Sequence, residues 1–220
     1  MITPHSGELD FLHGAPETIE PGTNAFIDKW GTNDSNFTDY CEYAPLGTRE
    51  IIESRLAGLA SKAAIDIAGG TNGMAIQQLL RDGLIDTGLV TNYRDLRDDA
   101  LEEMRMDHVD GDILRKETWL RILEWQRERA PDGFSLVLHR PVGGLQKLEP
   151  KIYKGALNLL LSRTRPSGAL LTQIPDKLDH TEQGERLCSE LAARTDIEAV
   201  YAPKYFQVRP MALILKSAQA

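Results

Sequence analysis

Basic charge is scarce in this sequence. Lys and Arg total 25 against 33 Asp and Glu, a formal net charge of −8. That balance argues against a broad nucleic-acid-binding surface and leaves room only for a local basic patch. Cysteine is scarcer, with only Cys41 and Cys188, which excludes a disulfide framework or a cysteine-built zinc site. No apolar run approaches the ~20 residues of a membrane helix. The first twenty residues hold no Lys or Arg and no apolar stretch, unlike a secretory signal, so a cytoplasmic protein is expected. His5, His13, His108 and His180 show no metal-ligand spacing, so no metal is expected. Internal repeats and low-complexity segments are also lacking.

What is present is ordinary for a globular chain. The 220 residues are 41% hydrophobic and 26% charged, which rules out disordered, collagenous and fibrous classes. The length suits one domain with an appendage. Residues 1–47 are rich in Gly and Pro and read as irregular, with one short helix at Asn24–Trp30. Phe26, Trp30, Phe37, Tyr40 and Tyr43 are too many aromatics for a solvated tail, so part of this segment is expected to pack as a cover or lid.

From Arg49 onward the hydrophobic pattern is regular. Ile52, Leu56 and Leu59 recur at helical spacing, and Ala63–Ile67 reads as a buried strand. Ile76, Leu79 and Leu80 mark a helix that stops at Gly83, followed by a strand over Thr87–Tyr93. A charged helix is expected over Asp95–Met106 and a third strand within Asp107–Ile113. A helix around Trp119 ends before the turn at Pro131-Asp132-Gly133, and core or half-buried packing is expected of Trp119 and Trp125. A strand over Phe134–Leu138 comes next, then a long helix from Ile152 that stops before Pro166, then a strand over Gly168–Ile174. Asp179 with Glu182 resembles a capping box opening a helix through Leu191. Ile197–Tyr201 and Gln207–Leu215 are strands joined too closely for a crossover helix, so they should pair antiparallel. This alternation predicts an α/β fold. Its seven-stranded, mostly parallel sheet has helices on both faces, a C-terminal antiparallel hairpin and an irregular N-terminal cover. The expected domains are an N-terminal extension over 1–47 and one α/β domain over 48–220.

The segment Asp66-Ile67-Ala68-Gly69-Gly70-Thr71-Asn72-Gly73 follows a strand and opens a helix. Glycines there permit tight turns and close backbone approach to a ligand, and the helix N-terminus beyond suits an anion. A turn with no ligand is the plain alternative. Against it, Asp66 ends a buried strand, where an unpaired charge is costly.

On these residues the chain resembles the class I S-adenosylmethionine-dependent methyltransferases. Asp66, Gly69, Gly70 and Gly73 match the family's acid and glycine-rich turn, and Gly111-Asp112-Ile113 matches its later Gly-Asp motif. Phe134–Leu138 matches its fourth strand, and Leu161 through Arg165-Pro166-Ser167-Gly168 to Leu171 matches its turn into the fifth. The resemblance covers about residues 50–216 and implies a Rossmann-like fold, S-adenosylmethionine as cofactor and transferase activity. It implies that Asp66 lies near the cofactor's amino group, with the backbone of Ala68, Gly69, Gly70 and Gly73 at the methionyl part. It also implies that Asp112 accepts from the adenine amino group and that Ile113 lies against the ring; a helix N-cap role is the alternative for Asp112. The family's ribose-binding acid is replaced here by Asn92, with Asp95 as a substitute further along.

The acceptor is expected beyond the fourth strand, at Leu138-His139-Arg140-Pro141. His139 is the candidate base because an ordinary imidazole titrates near neutrality, and Arg140 would hold an anionic substrate. A structural hydrogen bond at the strand end is the alternative for His139. Tyr40 and Tyr43, with Asp39 and Glu42, would close over cofactor or acceptor, or else pack as an aromatic cluster. A small-molecule acceptor, methylated on oxygen or nitrogen, is expected from the charge, with no nucleic-acid or membrane partner. Two further functions stand beside this one. Ala68-x-Gly70-x-x-Gly73 is one substitution from the dinucleotide fingerprint of an NAD(P)-dependent oxidoreductase, and Asn92 keeps a non-catalytic binding protein on the same fold in play.

Overall fold

The computed structural model describes residues 7–13, 35–70, 72–92, 106–139, 150–175, 178, 181–202 and 211–218. The expected helices at Asn24–Trp30 and Asp95–Met106, and the connection at Pro203-Lys204, lie outside the described residues, apart from Met106 itself, which opens a strand.

After a short turn of 3-10 helix at Asp10–Leu12 come α1 (Phe37–Glu42), α2 (Thr48–Ala57), β1 (Ala63–Ile67), α3 (Met74–Arg81), β2 (Thr87–Asn92) and β3 (Met106–Asp110). Then follow α4 (Lys116–Arg129), β4 (Phe134–His139), α5 (Pro150–Arg163), β5 (Thr164–Gln173), α6 (Glu182–Ala192), β6 (Ile197–Tyr201) and β7 (Met211–Lys216). The strands form one sheet in the order β3-β2-β1-β4-β5-β7-β6. β3, β2, β1, β4 and β5 pair in parallel, whereas β7 runs antiparallel to both β5 and β6. This is the expected seven-stranded sheet with its closing hairpin. The order reverses between β1 and β4, and such a switch point leaves a crevice at the carboxyl ends of the strands.

The inner strands are covered on both faces, so they read as apolar runs: every residue of β1 and β4 is buried. Ile65, Leu89, Val137, Leu170 and Ile214 face α4, α5 and α6, with Trp119, Tyr153 and Leu191 among the partners. Ala64, Val90, Leu138, Leu171 and Leu213 face α1, α2 and α3, with Phe37, Tyr40, Ile52 and Ile76. Alternation along each strand fixes which polar residue lies on which face. Asp66, two residues after Ala64, faces α1, whereas His139, two residues after Val137, faces α5. Trp119 is in the core and Trp125 is partly buried against it, as the pattern predicted.

Three local expectations are corrected. The N-terminal segment is not irregular throughout. Asn36 and Asp39 form a reciprocal capping box that starts α1, and burial of Phe37 and Tyr40 holds that helix on the sheet. β5 begins at Thr164 rather than Gly168, because Pro166 sits at a register shift opposite Phe134 and Leu136, where no ladder bond from its nitrogen is needed. The cap of α6 is Thr181, not Asp179: its Oγ1 accepts from Gly184 N at 3.2 Å. Asp179 itself is outside the described residues.

Candidate functional site

At the carboxyl end of β1 the chain leaves the sheet through a turn tied to β2. Ala68 takes φ 60° and donates from N to Thr91 Oγ1 at 3.1 Å, and Gly69 N donates to Thr91 O at 3.1 Å. Gly73, at φ 59°, caps α3. An added Cβ at Gly69 would lie 2.5 Å from the Asp66 carboxylate, so the turn's backbone rests directly on that acid. Asp66 is wholly buried, and the Tyr40 hydroxyl donates to its Oδ1 at 2.7 Å. Helix α1 therefore reaches the acid of the glycine turn with a hydrogen bond. Tyr40→Phe deletes that bond inside the core. We expect a loss of about 2 kcal/mol in urea unfolding; an unchanged midpoint would show that the bond contributes nothing.

Asn92 ends β2 and is engaged at both ends of its amide. Its Nδ2 donates to Gly70 O at 2.6 Å, and its Oδ1 pairs with His108 Nε2 at 2.8 Å. A ribose diol at this position would compete with those two bonds. Asp95 lies outside the described residues. The Asn92 carbonyl accepts from Gly111 N at 2.8 Å, which brings Gly111-Asp112-Ile113 to the same edge of the sheet. Asp112 does not cap α4, whose N-cap is Arg115. Instead its Oδ1 accepts from Leu114 N at 2.9 Å, and Arg115 Nε stands 3.8 Å from Oδ2. Ile113 is half-buried, and its carbonyl accepts from Trp119 Nε1 at 2.7 Å.

Across the switch point, His139 ends β4. Its ring is completely buried and stacks on Tyr153 with centroids 5.8 Å apart. Its Nδ1 shares a hydrogen bond with Thr172 Oγ1 at 2.9 Å, and Tyr153 Oη meets the same Thr172 oxygen at 3.1 Å. The near-neutral pKa expected of His139 is corrected: burial disfavours the imidazolium and lowers it from 6.5 to about 3. The same burial raises the Tyr153 phenol above its ordinary value. His139 is thus a neutral ring at ordinary pH.

Tyr43 is half-buried at the end of α1, and its carbonyl accepts from Met211 N at 3.0 Å, pinning α1 beside the start of β7. Arg140 lies outside the described residues. The structure therefore brings Asp66, Ala68, Gly69, Gly70, Gly73, Asn92, Asp112 and Ile113 to the carboxyl edges of β1, β2 and β3, with His139 beyond the switch point. Sequence reasoning missed Thr91, Tyr153, Thr172 and Gln173. The signal for the last two was a polar pair closing the apolar run Ala169-Leu170-Leu171.

This strand order, with its antiparallel seventh strand inserted before the sixth, is that of the class I S-adenosylmethionine-dependent methyltransferase fold. Two solved structures of one methyltransferase share it. The MycE methyltransferase of the mycinamycin biosynthetic pathway, with Mg and SAH, superposes with a TM-score of 0.54 at 14% identity, over 85% of this chain and 56% of that one. The same protein with Mg, SAH and mycinamycin VI gives 0.50 at 11% identity, over 92% and 58%. An O-methyltransferase family protein from Burkholderia thailandensis gives 0.49 at 14% identity, over 80% and 57%. The chain thus spans a little over half the length of these proteins. No family model matches the chain, and no curated protein sequence matches it. Among the described residues no helix is long and apolar enough to cross a membrane, and no cluster of side chains suited to a metal ion occurs.

Proposed function

We propose that the protein is an enzyme that transfers a methyl group from S-adenosylmethionine to oxygen or nitrogen of a small-molecule acceptor. The observation that carries this reading is the glycine turn at the β1–β4 switch point, seated on the buried Asp66 carboxylate. A turn built that closely to an acid suits a ligand that presents an ammonium group to the carboxylate and lies along exposed backbone amides. S-adenosylmethionine has that ammonium, and it supplies a methyl group on a sulfonium that is already a good leaving group.

The residues take the following parts. Asp66 lies near the cofactor's amino group. The backbone of Ala68, Gly69, Gly70 and Gly73 follows the methionyl part. Asn92 meets the ribose, Asp112 accepts from the adenine amino group, and Ile113 covers the ring. Tyr43 and Arg140 contact the acceptor. His139 serves there as a neutral hydrogen-bond acceptor through Nε2, which has no partner among the described residues. With the leaving group in place on the donor, alignment of the two reactants supplies much of the rate, and the proton that the acceptor loses goes to solvent rather than staying on this ring. Residues 1–47 act as the cover over this edge, and α1 is its packed part. The net charge of −8 supports a small acceptor over a polyanion.

Calorimetric titration with S-adenosylmethionine, S-adenosylhomocysteine and NAD tests the reading. Heat with the two adenosyl ligands and none with NAD is expected; heat with NAD alone overturns it. In the same assay Asp112→Ala should bind S-adenosylhomocysteine roughly tenfold more weakly, one hydrogen bond to a charged group being lost, while the protein stays folded. Equal affinity would remove Asp112 from the adenine site.

A further inference from the structure

Gln173 is the last residue of β5, at the same carboxyl edge of the sheet as the candidate site, and it is completely buried. Neither its Oε1 nor its Nε2 has a hydrogen-bond partner among the described residues. A buried amide that forgoes both bonds is costly, because desolvation is not offset at either atom. His139 also leaves one atom unpaired, but its other nitrogen is held by Thr172. Gln173 is held by neither end of its side chain.

Its placement gives the unpaired amide a direction. Thr172 and His139 stand opposite each other on β5 and β4 and face α5. Gln173, one residue on, therefore faces the other way. It lies on the side of Leu171, Met211 and Leu213, which is also the side of Asp66, Tyr40 and Tyr43. It is one rung nearer the strand ends than Leu171, which lies level with Leu138 and, through it, with Asp66. A primary amide presents one acceptor and two donors in a plane. The group that satisfies it at both ends carries a donor and an acceptor side by side, as a cis N–H and C=O do. Burial penalises a charged partner, so a neutral edge is favoured over a carboxylate.

We propose that Gln173 recognises the acceptor, and that the acceptor carries a neutral paired amide or lactam edge which the Gln173 amide grips at two points. This rests on the methyl-transfer reading for the name of acceptor, while the grip itself rests on Gln173. A site built to pair both ends of an amide rejects an analogue that lacks one of them, since the amide is then left half-satisfied.

The test compares α-pyridone, which has the paired edge, with N-methyl-α-pyridone, which lacks the donor. Binding of each is measured by ligand-observed NMR to the full chain, with and without saturating S-adenosylhomocysteine. Wild type should bind α-pyridone roughly tenfold more tightly than its N-methyl analogue, and Gln173→Met should lose that preference while binding S-adenosylhomocysteine as before. Without ligand, Gln173→Met or Gln173→Leu should melt no lower than wild type, because the amide they replace makes no bond. Equal binding of the two pyridones by wild type overturns the proposal, as does failure of wild type to bind α-pyridone. A preference that survives in Gln173→Met, or a lower melting temperature in both variants, overturns it too. Absence of S-adenosylhomocysteine binding is a separate failure that removes the methyl-transfer reading; the pyridone preference without it still decides the role of Gln173.

Discussion

Acidification from neutrality to about pH 3.5 should cost this protein about 4 kcal/mol through His139 alone. In the unfolded chain the imidazole takes up a proton below 6.5, whereas in the folded protein burial lowers that value to about 3. Between the two values the unfolded state binds one more proton than the native state. Stability is therefore unaffected by this group above 6.5, falls by about 1.4 kcal/mol per pH unit below it, and levels off near 3. Other groups also lose stability in acid. Asp196 is one, since its bonds to Arg194 and Lys216 hold its carboxyl well below the usual range. The contrast that isolates His139 is thus urea unfolding of wild type against His139→Leu at a series of pH values. The gap between the two should move by about 4 kcal/mol in favour of the variant from pH 7 to about 3.5. Parallel curves would mean that the ring is hydrated in solution.

The second large effect belongs to Gly69. A methyl group there would sit 2.5 Å from both Cγ and Oδ2 of Asp66, a distance no real Cβ tolerates. Either the carboxylate swings away, breaking the 2.7 Å bond from Tyr40, or the turn lifts off β2 and loses the bonds to Thr91. Both outcomes misplace the surface proposed for the cofactor by a large fraction of an ångström. Gly69→Ala should weaken S-adenosylhomocysteine binding by on the order of 10-fold or more, about one hydrogen bond to the ligand being lost. Gly58→Ala is the control, because its added Cβ meets only Arg55 O at an ordinary 3.6 Å, so affinity should be unchanged. Calorimetry on the three proteins decides the matter. Full affinity in Gly69→Ala would place the ligand away from this turn.

The order of strands and helices was legible because the inner strands are covered on both sides and so stand out as apolar runs, from Ala63–Ile67 to Phe134–Leu138. The closing hairpin was legible from the short connection before β7. What escaped was either too short to show a pattern or set by contacts distant in the chain. Six residues are too few to show a helical period, so α1 was visible only as the aromatics Phe37 and Tyr40. Pro166 reads as a stop, whereas a register shift absorbs it within β5. The acid and glycines of the turn were found from the sequence, since their chemistry is local. The bond from Tyr40 to Asp66 spans 26 positions, and nothing in either neighbourhood announces it. The His139 pKa was misread for the same reason. Its value depends on Tyr153, Thr172 and the packing around them, none of which is adjacent in the chain.

The two margins of the sheet bear on how copies of this protein meet. β3 forms one margin and carries Asp107 and Asp110 within five residues; β6 forms the other and carries Glu198. Joining two copies along β3, strand against strand, would bring the exposed Asp110 carboxylates together, whereas Asp107 is already held by Trp125 Nε1 at 2.6 Å. Glu198 is further occupied by Arg55, which also donates to the Lys216 carbonyl at the end of β7. Short, acid-bearing margins of this kind resist growth into a continuous intermolecular sheet, while the carboxyl edge of the same sheet is rich in glycine and buried polar groups.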